Sequence, residues 1–138
     1  MDAKKYLQQV SKLDRMINNK MIEKEQWKAI ALGTTTLYGG ESVQSSSDQQ
    51  KMANAVCRYV AIEEEIDECI DSLVDIKKEV ISTIEQLPEV EYDLLHKAYI
   101  QGIDFYTIAD DYKKTYTWVT TVHGRALKHV QDILDKKE

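Results

Sequence analysis

Proline occurs once in the 138 residues, phenylalanine once, cysteine twice and glycine five times. So few turn-forming residues exclude a β fold built from many short strands and favour long helices. Cys57 and Cys69 stand twelve positions apart in what reads as one helix. At ~1.5 Å rise per residue they are about 18 Å apart, too far for a disulfide within the chain. No run approaches the ~20 apolar residues of a membrane span, and the N-terminal residues lack the apolar segment of a signal peptide. The chain is therefore expected to be cytoplasmic, with no membrane partner. There is no glycine-rich phosphate loop, no nucleophile elbow and no acid pair in a cleft-forming context. His96, His123 and His129 have no cysteine or carboxylate at a metal-binding spacing. Neither an enzyme nor a bound cofactor or metal is expected. What remains is 43% apolar and 30% charged residues with a net charge of −6, enough for one modest folded domain or a long helical element with a small module.

Residues 2–31 place Tyr6, Val10, Leu13, Ile17, Trp27 and Ile30 at steps that suit an amphipathic helix. Gly33–Asp48 concentrates glycine, serine and threonine and predicts a mobile linker over 33–47, with Asp48 capping the next helix. From Gln49 to Leu87 there is neither glycine nor proline. Val56, Tyr59, Glu63, Ile66, Ile70, Leu73, Lys77, Val80, Ile84 and Leu87 alternate steps of three and four, the seam of a coiled-coil-like helix. Such a narrow stripe needs a second helix over it: the first helix folded back antiparallel, a second chain, or both. Residues 61–91 hold eleven acids against Lys77 and Lys78. They read either as a solvated face or as a surface that repels DNA and leaves contact to a basic end.

That basic end is Lys113–Val130, with four Lys/Arg and no Asp or Glu. Pro88 ends the long helix and suits the first turn of a following one. Val90, Leu94, Leu95, Ala98 and Tyr99 form that helix's inward side, closed near Gly102. Asp104 caps a short helix, Phe105–Asp111, which buries Phe105, Ile108 and Ala109. A polar turn, Tyr112–Lys114, leads to Thr115 as the cap of a last helix reaching about Leu134. There Val119, Val122, Ala126, Leu127, Val130 and Ile133 point inward. Thr117, Thr120, Thr121, Gly124, Arg125 and Lys128 fall mainly on other faces. Two helices joined by a short turn, the second presenting hydroxyls and cations, is the helix-turn-helix layout. A carboxylate on that second helix would face polyanionic DNA, which accounts for the missing acids. Tyr116 and Trp118 either cover the short helix or reach bases. Arg125 either pairs with DNA or turns back to the acidic helix.

"LPEVEYDLLHKAYIQGIDFYTIADDYKKTYTWVTTVHGRALKHV", Leu87–Val130, resembles the DNA-binding region 4 of bacterial sigma factors. The likeness rests on the LP opening, Ile108–Ala109, the capping hydroxyl of Thr115, Val119 and Arg125–Leu127. The wider arrangement is similar to sigma-like phage transcriptional regulators of the ArpU and RinA type. At Lys113 and Lys114 the chain departs from the pattern, which often has glycine and then an apolar residue. The chain lacks a promoter −10 recognition part, so by itself it is not expected to initiate transcription.

These observations predict an all-α fold: a helical hairpin or coiled coil over 1–87, then a helix-turn-helix domain over 88–138. The resemblance implies a phage or prophage regulator of late or integration genes, binding double-stranded DNA and, in the sigma-like case, RNA polymerase. A homodimer through the long helices would read two half-sites. Tyr116, Thr117, Thr120, Thr121, Arg125 and Lys128 are the expected base or phosphate contacts, with Lys113 and Lys114 on the backbone. A small terminase subunit for DNA packaging and a polymerase-binding adaptor that never touches DNA are the alternative readings.

Overall fold

The computed structural model describes residues 1–33 and 46–137. It is all-α: α1 spans Ala3–Ala31, α2 Ser46–Ile84, α3 Glu89–Leu95, α4 Phe105–Tyr112 and α5 Tyr116–Lys137, with one π-helical turn, His96–Ile100, continuing α3. Among the described residues there is no strand. The linker expected at 33–47 lies, Gly33 apart, almost wholly outside the described residues, as does the capping side chain of Asp48. The helix itself begins at Ser46, two residues ahead of Asp48.

The chain forms two compact units, one of Met1–Asp14 with Ser72–Glu138 and one of Arg15–Asp71. The second is an antiparallel helix pair. Lys20 pairs with Glu65 at 3.2 Å and Lys24 with Glu63 at 3.3 Å. Lys24 also stands 5.4 Å from the Tyr59 ring centre, and the Cys69 thiol lies 3.9 Å from the Met16 sulfur. Ile17, Ala55, Ile62 and Ile66 are buried there.

The first unit has one continuous core. It runs through Tyr6, Leu7 and Val10 of α1, Val80, Ile84 and Leu87 at the end of α2, Leu94 and Leu95 of α3, Ile108 and Ala109 of α4, and Val119, Val122, Ala126 and Val130 of α5. Two polar side chains are buried within it, and both are matched. Thr83 and the Tyr6 hydroxyl share a 2.9 Å hydrogen bond, and Glu91 accepts from His129 Nδ1 at 2.5 Å. Burial without these partners would cost each group ~1–3 kcal/mol.

The seam of α2 differs from the expected one by a single position at alternate steps. Tyr59, Ile66, Leu73, Val80, Ile84 and Leu87 are common to both. The structure then buries or half-buries Ile62, Cys69, Ile76 and Thr83, together with Ala55, whereas Val56 is 48% and Ile70 42% exposed. The observed register puts the fully buried places on apolar or neutral side chains and leaves Glu63 and Lys77 half-buried at the edge of the seam, as the cost of burying charges favours. In α3 the same reasoning is reversed at one place. Val90, expected inward, is 44% exposed, and Glu91 is buried instead because His129 satisfies its carboxylate.

Local signals set the remaining boundaries. Pro88 occupies the position before α3. At the far end the π turn adds a residue, so the Ile103 N–H reaches the Lys97 carbonyl across Gly102, which adopts φ +72°. Asp104 accepts from the Thr107 N–H at 2.8 Å, and Thr115 Oγ1 from the Trp118 N–H at 3.0 Å, so both expected caps form. Between α4 and α5, Lys113 adopts the left-handed conformation, φ 55° and ψ 43°, and the Lys114 N–H donates to the Ala109 carbonyl at 2.9 Å. This is a helix C-cap usually filled by glycine, and an L side chain there costs ~1–2 kcal/mol. Replacing Lys113 with glycine should therefore stabilise the protein by about 1 kcal/mol in urea denaturation, after glycine's own entropic cost. A stability loss would show that the turn is not left-handed.

Candidate nucleic-acid interface

The face opposite the buried stripe of α5 follows from helical geometry. With Val119, Val122, Ala126 and Val130 facing the core, ~100° per residue turns Thr117, Thr121, Gly124 and Lys128 directly outward. Arg125 falls on one edge of this face, Thr120 and Tyr116 on the other. From Thr117 to Lys128 the outward face is ~16 Å long at 1.5 Å per residue, commensurate with a major groove ~12 Å wide.

All eight residues singled out from the sequence lie at or beside this face. Lys113 and Lys114 form the turn and are exposed, with the Lys114 ammonium 5.8 Å from the Trp118 ring centre. Thr117, Thr121, Arg125 and Lys128 are exposed, and Thr120 is half-buried. Arg125 makes no ion pair or hydrogen bond with any described residue, and the turn back to an acidic partner that the sequence left open does not occur. The hydroxyls of Thr120 and Thr121 both donate to the Thr117 carbonyl at 2.9 Å. Their protons are thus committed, and they meet a ligand with oxygen lone pairs and methyl groups. Thr117 keeps its hydroxyl uncommitted among the described residues.

The rim was less visible in the sequence. Tyr116 stacks on Tyr106 of α4 with ring centres 4.6 Å apart, and Tyr106 is 69% exposed. The two tyrosines are ten positions apart on different helices, so no periodicity links them. Trp118 leans on Tyr112 at 5.3 Å, half-buried, as cover for α4 rather than as part of the outward face. Asp110 and Asp111 close α4 just before the turn and are exposed, and Asp132 and Asp135 follow on α5. The acid-free face is bounded by carboxylates at both ends.

Beneath the face, side chains remote in sequence hold α5 in place. The Tyr99 hydroxyl and His123 Nε2 share a 2.7 Å hydrogen bond, and Phe105 meets the His123 ring edge-on at 4.9 Å. Tyr112 donates to Asp93, which also accepts from Lys97 at 3.0 Å. The Tyr112 hydrogen bond, followed by Lys97, holds the Asp93 carboxyl below its ordinary value, and burial pushes the Tyr99 hydroxyl up to about 12. Beside Tyr112 is an open hollow of about 190 Å³ lined by Glu89, Val90, Tyr92 and Asp93. Among the described residues no three His, Cys, Asp or Glu side chains stand close enough to hold a metal ion. No helix of the described residues is long and apolar enough to cross a membrane.

No protein-family model, curated protein or solved structure matches this chain.

Burial, and secondarily the Lys4 cation, hold His123 below its ordinary value of 6.5. The unfolded chain therefore binds the proton more readily, and stability is lost as pH falls from above 6.5 through the folded-state value. Denaturation midpoints should drop between pH 7.5 and pH 5.5 more steeply for the wild type than for His123→Gln. Equal slopes would show that His123 titrates as freely in the fold as outside it.

Proposed function

We propose that this protein is a sequence-specific DNA-binding regulator that docks α5 in the major groove. The observation that carries the reading is the outward face of α5, cationic and hydroxyl-bearing, with Arg125 unpaired among the described residues of an acidic chain. Its parts suit the task. Arg125 can present two parallel donors to guanine, Thr117 can donate or accept, and Thr120 and Thr121 can accept from adenine or cytosine amino groups or touch a thymine methyl. Lys113, Lys114 and Lys128 can neutralise phosphates, and the N-terminal end of α5 adds backbone donors and a partial positive charge. Tyr116, backed by Tyr106, forms a rigid aromatic edge beside the groove. Asp110, Asp111, Asp132 and Asp135 repel phosphate, so the duplex approaches the middle of α5 and not the length of α4.

One such module makes few contacts, and affinity for a specific site calls for two copies reading two half-sites about one helical turn apart. The likeness of Leu87–Val130 to sigma factor region 4 supports a role in transcription, as a phage or prophage activator of the ArpU and RinA type.

Selection of bound duplexes from a random pool at fixed salt should enrich a two-fold site. Absence of any enriched sequence would leave non-specific binding or a polymerase-only adaptor. On the selected duplex, Arg125→Ala should cost ~1–3 kcal/mol and relax preference at one base position. Lys113→Ala should weaken all sequences alike and lower the salt slope by about one unit. Unchanged affinity in both variants would reject this face.

A further inference from the structure

We propose that the Arg15–Asp71 helix pair is a dimerisation element whose exposed apolar flank is covered by the same flank of a second copy. This specifies the dimer in the reading above, but its evidence is independent of any DNA contact.

Helix α2 carries two apolar stripes in this unit. Ala55, Ile62 and Ile66 form the first, buried against α1. The second, Met52, Val56, Val60 and Ile70, lies ~100° round the helix, is 36–48% exposed, and is interrupted by Glu63 and Asp67. On an antiparallel pair, side chains rotated in the same sense from the contact line share one flank. Met21 of α1, 51% exposed, is rotated that way and joins the second stripe. Met16, Lys20, Glu65 and Cys69 line the other flank. The five apolar side chains leave open an area on the order of 400 Å², within the ~300–600 Å² of a monomer's largest patch, which is often an interaction surface.

The unit also has little to hold it alone. Its buried apolar side chains among the described residues are Ile17, Ala55, Ile62 and Ile66, and two helices with so small a core gain most of their stability from further packing. Pairing two open flanks covers on the order of 800 Å² of apolar surface, and the charged rims would have to supply the rest of the roughly 1,200 Å² at which stable interfaces begin.

Charge identifies the occupant. Residues 15–31 of α1 carry four cations and two acids, whereas residues 49–71 of α2 carry two cations and six acids. A two-fold axis parallel to the helices lays α1 of each copy over α2 of the other, matching opposite charges on both sides of the axis. A two-fold across the helices would put acids on acids and is disfavoured. In-chain pairs run Lys20 to Glu65 and Gly33 to Met52. By that register Met21 of the partner comes level with the gap that Glu63 and Asp67 leave in the second stripe, between Val60 and Ile70.

Light scattering on the full chain without DNA should return twice the chain mass at tens of micromolar. Val60→Glu with Ile70→Glu should return the single mass with unchanged helical circular dichroism, while Asn54→Glu, off the flank, should remain a dimer. If the glutamate chain loses helicity alone, mixing it with a Met21→Lys chain provides the second measurement: a heterodimer with restored helicity is expected. A monomeric wild type, a ring of many copies, or a glutamate chain that stays dimeric would each overturn the proposal. Failure of the wild type to bind any duplex would instead sink the regulator reading and leave the dimer untouched.

Discussion

Val119, Val122, Ala126 and Val130 lie along one stripe of α5 and are at most 1% exposed, and their packing against Leu94, Leu95, Ile108 and Ala109 decides what the helix shows on its other side. Each buried valine contributes ~1.5–3 kcal/mol relative to exposure. Rolling the helix to hide its threonines and cations would forfeit several times that and strand hydroxyls in the core. The polar face is outward because the small apolar side chains leave it no alternative.

Polar ties then fix the position of α5 along its own axis. Gln131 accepts from the Ala3 N–H at 2.8 Å and donates to the Met1 carbonyl at 3.1 Å, joining the C-terminal half of α5 to the first turn of α1. Glu91 and His129 do the same towards α3, and Tyr99 and His123 towards the π turn. Apart from the exposed Gln131–Met1 bond, each pair is partly shielded from water, so losing one partner costs more than the net value of an intact bond. A helix held at its middle and C-terminal half by such pairs presents its side chains at defined places, which a base-reading surface requires.

Much of this was legible in the sequence because it rests on local chemistry. Asp104 and Thr115 sit one position ahead of apolar-periodic segments, and a carboxylate or hydroxyl there meets free N–H groups whatever the tertiary fold. The inward stripe of α5 was readable for the same reason: valines and alanine recur at three and four. The seam of α2 was legible only in part, because two stripes one residue out of phase fit the same pattern of isoleucines and valines. Only the positions of Glu63 and Lys77 against Ile62 and Ile76 separate them, through the cost of burying charge. Val90 and Glu91 were misassigned by the opposite route. A partner 38 residues away, His129, made the carboxylate the buried one, and local pattern carries no trace of it. The Tyr106–Tyr116 stack escaped likewise, being formed across a turn whose left-handed Lys113 has no strong sequence signature.

The central claim is that the middle of α5 is the surface that meets nucleic acid. Backbone amide chemical-shift mapping during titration with a selected duplex tests it most directly. The account predicts the largest changes at Thr117, Thr120, Thr121, Gly124 and Arg125, with small ones in the Arg15–Asp71 unit. Changes centred on that unit, with α5 unmoved, would contradict it.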